Sequence, residues 1–402
     1  MYSYLILTAL SFVFGIIAAI LIFKGLFLIR KKADRGTRAM IDVGVGALLV
    51  AVIVYGVSNV SYPLHFAMPP TMQAMTMDRG PASLPFASIA QFLLHKDRFE
   101  KVADIGRDPN EVPPPIDRTA SETVKIALTA KEVISEIAPG IWNNYWTFDG
   151  KVPGPMLRVR VGDTVELTLT NDPTSLHSHN IDLHAVTGPG GGATATAVKP
   201  GETRSFRWLA KNPGLYEYHC ATSNVSTHNS HGQYGLILVE PEGGLPKVDK
   251  EFYLMQGEFY TTGGIGKKGL MAFDTQALID GRPTYVLFNG KVESAPRMHA
   301  KVGERIRMYV GNGGVNLVSS FHVIGEIFDT VYPLAAMGDG SAMLKNVQTT
   351  EVLPGGASIV EFTVDVPGKY IIVDHALARM NKGAWAVLEV SGDPQPDVFK
   401  PL

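Results

Sequence analysis

Tyr218-His219-Cys220-Ala221-Thr222, followed at position 228 by a further histidine, is the stretch on which the reading of this chain turns. Cys220 is the only cysteine among 402 residues. It therefore has no partner for an intramolecular disulfide, no companion for a thiolate zinc site and no Cys-x-x-Cys-His for a covalent haem. A lone cysteine packs well in a core. Histidine at the preceding position and again eight residues on instead gives it the spacing with which a strand and its following loop wrap a copper ion. A second cluster, His179-Asn180-Ile181-Asp182-Leu183-His184, lies upstream.

Side chains alternate faces along a strand. If residues 179–184 are extended, Asp182 and His184 share a face while His179 points the other way, and the neighbours His219 and Cys220 diverge in the same manner. One strand pair then serves a copper on each side, with Cys220, His179 and His228 on one and His184 and His219 on the other. Two imidazoles with a thiolate form the donor set of an electron-transfer copper, whereas an all-imidazole set with an open position suits a catalytic one. The adjacent pair His219-Cys220 becomes a short covalent bridge between them.

Around these clusters the chain reads as short alternating strands separated by Gly and Pro, such as Met156-Leu157-Arg158-Val159-Arg160-Val161 and Val165-Glu166-Leu167-Thr168-Leu169. The pattern returns after about residue 250, in Thr284-Tyr285-Val286-Leu287-Phe288-Asn289-Gly290 and Arg305-Ile306-Arg307-Met308-Tyr309-Val310, with matching turns at Gly162-Asp163 and Gly303-Glu304. Two tandem Greek-key sandwiches, 118–245 and 246–393, are the simplest all-β architecture.

The N-terminal 64 residues differ. Apolar runs at about 3–29 and 43–64 each exceed the roughly 20 residues that cross a hydrocarbon core as helix, with Lys24 near an end where it can snorkel. The loop 30–38 between them carries five basic residues and one acid, which places it in the cytoplasm. Two transmembrane helices then form a two-pass anchor in a bacterial inner membrane, with the sandwiches on the periplasmic side. The absence of a basic residue before the first run argues against a cleavable signal. A Pro- and Met-rich connector, 65–117, follows; it contains His65, Met68, Met72, Met75 and Met77, and a candidate amphipathic helix over 88–105. The net charge of -2 gives no sign of nucleic-acid binding.

From about Val112 to Val390 the chain resembles the copper-containing nitrite reductases, a trimeric family with two cupredoxin domains that reduces nitrite to nitric oxide. The resemblance is carried by 179–184, 185–192 and 218–222, by Ser319-Ser320-Phe321-His322-Val323-Ile324-Gly325-Glu326-Ile327-Phe328, and by Val373-Asp374-His375-Ala376-Leu377. It implies one type 1 and one type 2 copper per subunit. His179, Cys220 and His228 correspond to type 1 ligands. His184 and His219 correspond to type 2 ligands, completed by His375 of the partner subunit in a homotrimer. Asp182 and His322 correspond to the catalytic pair, and Ile324, Val373 and Leu377 to apolar walls around nitrite. Where the family has an axial methionine this chain has Gln233, an attested alternative that tunes the potential. The helices would bring the enzyme to membrane lipid and to its donor, either quinol or a membrane-associated cytochrome or cupredoxin.

Two other classes compete. A multicopper oxidase needs a trinuclear centre besides its type 1 site, yet only nine of the 11 histidines lie in the sandwich region and Cys220 is followed by Ala221 rather than histidine. A membrane-tethered cupredoxin electron carrier explains Cys220, His179 and His228 but leaves His184, Asp182, His322 and His375 idle.

Overall fold

The computed structural model describes residues 2–29, 35–60, 94–292 and 297–401. His65 and the methionines of the connector lie outside that range, as do residues 88–93. Two compact units emerge, one holding the N-terminal helices and the other the β-rich remainder.

The N-terminal unit contains helices Tyr2–Ile29 and Arg35–Val60, which pack on each other. Their contact uses small residues. Ala18 and Ala51 are buried, and a Cβ on Gly44 would come within 2.9 Å of the Ile22 side chain. Outward-facing side chains such as Phe12, Ile16, Ile20, Phe23, Val43, Val52 and Ile53 are apolar and exposed. The second helix begins at Arg35, well before the expected residue 43, so the end of the basic stretch is helical rather than loop. Among the described residues no helix is long and apolar enough to cross a membrane.

The β-rich unit contains four sheets that form two sandwiches. In the first sandwich, the sheet built on strands Thr123–Ala138, Ile141–Phe148, Thr164–Asn171 and Thr203–Leu209 faces one made of Leu157–Arg160, Tyr234–Glu240, Gly214–His219 and Asp182–Leu183. The second pairs a sheet centred on Lys250–Phe259, Arg305–Asn312 and Gly356–Thr363 with one centred on Ser319–Ile324, Gly368–Asp374 and Trp385–Ser391. The expected turns at Gly162 and Gly303 are present, each with positive φ (91° and 86°), a conformation that glycine adopts without steric penalty. Of the expected helix over 88–105, Leu94 and His95 are helical but the helix does not continue past them. Lys96–Arg98 is a single 3-10 turn and Glu100–Lys101 is a strand parallel to Val133–Ile134, which buries Phe99 and Ile105. An extended edge segment can present its apolar side chains as well as an amphipathic helix can, and here the sheet edge offers main-chain partners as well.

Each sandwich has its own core, the first including Leu167, Trp208, Tyr218 and Cys220, the second Phe252, Phe321, Phe328 and Phe362. A third cluster, with Tyr145, Tyr234, Leu236, Tyr253 and Tyr309, joins the two halves. The strand Gly214–His219 serves two of these layers. Tyr218 faces the first core and Leu215 the shared cluster.

A buried ion-pair layer crosses the same junction. Arg158 lies 2.5 Å from Glu240 and 2.8 Å from Glu251, while Arg307 lies 2.9 Å from Glu251 and 2.6 Å from Glu361. Removing Glu251 leaves Arg158 with Glu240 and Arg307 with Glu361 but takes one hydrogen-bonded carboxylate from each arginine and from the Tyr309 hydroxyl. Glu251→Ala is therefore expected to lower unfolding stability by about 1–3 kcal/mol, measured by denaturant titration of the metal-free protein.

Candidate copper centres

The first donor set is assembled by loops at one end of the first sandwich. His179 is held by reciprocal main-chain hydrogen bonds with Val198 (3.0 and 2.9 Å), and Cys220 follows directly on the strand Gly214–His219, its N–H donating to Gln233 O at 3.1 Å. His228 lies in the short helix Val225–Asn229. His179, Cys220 and His228 are all buried, and each offers one donor atom within 4.8 Å of the others. Cys220 Sγ is 3.9 Å from His179 Nδ1, and the Gln233 Oε1 atom is 3.2 Å from His228 Nδ1. Asn180 braces the thiol from behind: its N–H donates to Sγ at 3.4 Å and its Oδ1 accepts from Ala221 N at 2.7 Å.

Burial alone would raise the Cys220 pKa. The charges and hydrogen bonds of His228 and His179 overcome it and hold the thiol well below its ordinary range. His179 shows the reciprocal effect; burial pushes it down, but Cys220 and Glu132 push it up to about 9. A completely buried thiolate beside two imidazoles is a chemically soft, anionic site, which fits copper.

The second donor set lies on the other side of the same strand. Asp182 pairs with His219 in antiparallel register, so the two residues share a face. His219 directs Nδ1 at Cys220 O (3.0 Å) and His184 directs Nδ1 at Gly355 O (3.2 Å), which assigns the protons to both Nδ1 atoms. The two Nε2 atoms then face each other at 3.0 Å with lone pairs and no proton to share. Two imidazole lone pairs at that distance repel unless a cation lies between them, so this set also fits a metal. Partial burial and the neighbouring His219 push the His184 pKa below its usual value, which keeps its ring neutral. A carboxylate oxygen of Asp182 lies within 4.8 Å of both histidine donors. That carboxylate rests against Gly191, where a Cβ would fall 1.7 Å from Oδ1, so a side chain at 191 would occupy the space of the acid.

His322 and His375 form a third group in the second sandwich, with ring centroids 5.2 Å apart. His322 Nδ1 lies 2.5 Å from Gln348 O, and His375 N donates to Ser320 O at 2.7 Å. The buried Asp374 carboxylate accepts hydrogen bonds from Ser320 N, Ala376 N and Gln256 Nε2, which fixes the corner that carries His375. Val373 is in register opposite His322 and is fully buried, whereas Ile324 and Leu377 are 44% and 51% exposed. Within one chain, His184 and His219 are joined by Asp182 and by no third histidine among the described residues.

His231 does not point into the first set. Its Nδ1 donates to Thr227 O at 2.7 Å and its ring stacks on Trp146 at 4.3 Å, while burial holds its pKa down to about 4. His177 covers the other side of Trp146 at 4.3 Å, and the His228 ring meets the indole edge at 4.5 Å. Trp146 and Glu132, both from strands distant in sequence, are the residues that the sequence reading missed. The aromatic run Tyr145-Trp146 was the available signal for one of them. His299 lies apart, 3.7 Å from Glu389.

Comparison with known proteins is consistent with this geometry. A family profile described as "Multicopper oxidase" matches residues 130–244, the first sandwich. The copper-containing nitrite reductase of Neisseria gonorrhoeae is 53% identical over 293 residues, which is 72% of this chain and 74% of that relative. That of Rhizobium meliloti is 33% identical, covering 69% of this chain and 78% of the relative. The solved copper nitrite reductase of Nitrosomonas europaea superposes with a TM-score of 0.60 at 35% identity, over 68% of this chain and 96% of that one. A solved multicopper oxidase is also similar in fold, with a TM-score of 0.56 at 26% identity. The two sandwiches are thus cupredoxin-like, and the higher identity runs through both of them rather than the first alone. The chain belongs to the copper-containing nitrite reductase family of oxidoreductases.

Proposed function

We propose that the protein reduces nitrite to nitric oxide at a type 2 copper held by His184, His219 and His375 of the partner subunit. A type 1 copper held by His179, Cys220, His228 and axial Gln233 would supply the electron. The observation that carries this reading is the convergence of two donor sets on opposite faces of His219-Cys220, one thiolate-bearing and one of two imidazoles beside the Asp182 carboxylate. Copper bound there would supply one-electron reduction at the first set and a Lewis-acid position for the anion at the second.

The chain's own residues then do the rest. Asp182, anchored against Gly191, stands beside the two imidazoles and is placed to give a proton to the departing oxygen of nitrite. His322 has its Nδ1 occupied by Gln348 O, which leaves Nε2 to pass a second proton through water. Ile324 and Leu377 present apolar surface beside His322 and His375, the half of the pocket that the second donor set lacks. That complementarity supports a homotrimer in which one subunit contributes Asp182, His184 and His219, and the next His322 and His375. The apolar outward faces of the N-terminal helices support a two-pass anchor; with the basic stretch between the helices read as cytoplasmic, the sandwiches lie in the periplasm and the donor is quinol or a membrane-associated cytochrome or cupredoxin.

Copper-loaded protein in detergent, given nitrite and either a water-soluble quinol or a small-molecule reductant, tests this reading. Nitric oxide from both donors is expected. Nitric oxide from the artificial reductant alone would reduce the helices to tethers, and none from either would reject the reading and favour an electron carrier.

Gln233 should set the driving force. A hard amide oxygen favours Cu(II) over a soft thioether, so Gln233→Met is expected to raise the type 1 potential, by about 59 mV for each tenfold change in the redox equilibrium. Redox titration of the visible absorption checks this, and a potential no higher in the variant would exclude Gln233 as the axial group.

A further inference from the structure

Glu132, in the strand Thr123–Ala138, is completely buried and points at the outer nitrogen of His179. Its Oε1 accepts hydrogen bonds from the main-chain N–H groups of Leu176 and His177, both at 2.8 Å, and lies 3.0 Å from His177 Nδ1. The same oxygen is 3.4 Å from His179 Nε2, a charge contact rather than a hydrogen bond, and that nitrogen has no hydrogen-bond partner among the described residues. Oε2 has no hydrogen-bond partner among the described residues.

The arrangement is costly if it serves packing alone. A buried carboxylate must be paired to be tolerated, and a glutamine would accept the two main-chain hydrogen bonds equally well without charge. What the charge adds is directed at His179. That ring turns Nδ1 towards Cys220 Sγ, so its proton belongs on Nε2, facing the carboxylate. A carboxylate behind a metal-binding imidazole fixes the tautomer and ring orientation and increases ligand basicity.

We propose that Glu132 is a positioning residue of the first donor set, holding His179 with Nδ1 towards the metal and favouring the oxidised ion through its buried charge. The inference rests on reading that set as the type 1 copper site. Oxidised copper carries one more positive charge than reduced copper, so a fixed anion beside a ligand lowers the potential, in the same direction as Gln233. His177, whose side chain is 36% exposed, shares the carboxylate and thereby links the buried ligand to the surface next to Trp146.

The test compares copper-loaded wild type with Glu132→Gln, a variant of nearly equal volume that keeps an acceptor and loses the charge. The Cu(II)/Cu(I) equilibrium is expected to shift about tenfold towards Cu(I), an upward change of about 59 mV for one electron. Chelator competition should show Cu(II) held roughly 10- to 100-fold less tightly at this site. A variant with lower thermal stability but the wild-type potential and visible spectrum would overturn the proposal, because a purely structural carboxylate would give that result. Should Glu132→Gln fail to fold, His177→Phe keeps the stack on Trp146 and frees Oε1 for His179. Its potential is expected to fall, and an unchanged or raised value would equally overturn the proposal. Wild-type protein that never develops a type 1 copper spectrum would instead reject the underlying assignment.

Discussion

Cys220→Ala is expected to eliminate the intense visible absorption of the copper-loaded protein and its reduction of nitrite by any donor that enters at the first site, while copper at the second site is retained. Cys220 is the only thiol in the chain, and its pKa is held well below the ordinary range by His228 and His179 despite complete burial. Removing it leaves two imidazoles and an amide, a set without the soft anionic ligand that selects and colours this kind of copper. The second set does not use the thiol. His184 and His219 keep their Nδ1 partners, Gly355 O and Cys220 O, and the latter is a main-chain atom that alanine also provides. The apo fold should lose only about 1 kcal/mol, the common scale for a single substitution. Turnover with the natural donor should fall to the background, on the order of a thousandfold or more, equivalent to about 4 kcal/mol of barrier. Copper analysis, electron paramagnetic resonance and nitric oxide assay read these three consequences separately. Retention of the visible band would show that the thiolate set had been wrongly assigned.

The reason so much of this site is legible in the chain is that a strand alternates its faces. Cys220 and His219 are neighbours and must diverge, and that single fact places two donor sets back to back before any coordinate is known. The structure narrows the premise while keeping the conclusion. Only Asp182–Leu183 of the upstream cluster is strand, and His179 is positioned by its bridge to Val198 instead. Glycine turns at 162 and 303 are equally legible because positive φ selects the residue. Long-range packing is a different matter. Glu132 and Trp146 belong to strands that meet the copper loops only through sheet pairing; the aromatic pair Tyr145-Trp146 marks one of them as a packing residue, and nothing in the local sequence marks Glu132. The segment after His95 was misread because apolar residues at 99, 102 and 105 fit a helical period. A sheet edge at Val133–Ile134 captured it as a strand. Nor does the fold of one chain bring His375 to the His184 and His219 donors among the described residues; its ring packs on His322 instead.

Asp182→Asn is expected to retain copper at both sites with an unaltered type 1 spectrum, yet to lower nitrite turnover about 10²- to 10³-fold, the usual scale for loss of a positioned proton donor. Asparagine has nearly the same shape, so it fits against Gly191, where φ is +54° and a Cβ would lie 1.7 Å from the acid oxygen. It also leaves the strand pairing with His219 intact, because that register depends on main-chain hydrogen bonds. What it cannot do is deliver a proton. Reduction of nitrite to nitric oxide and water consumes one electron and two protons, and within one chain Asp182 is the only acid that joins the His184 and His219 donors among the described residues. The loss should appear in kcat more than in KM, since nitrite would still find the cationic position between the imidazoles. Gly191→Ala offers an independent check by a different route. Its methyl would displace the carboxylate without removing it, so turnover should fall in that variant too while the titratable group is still present. Wild-type turnover in Asp182→Asn would remove Asp182 from the reaction and leave proton delivery to His322 alone.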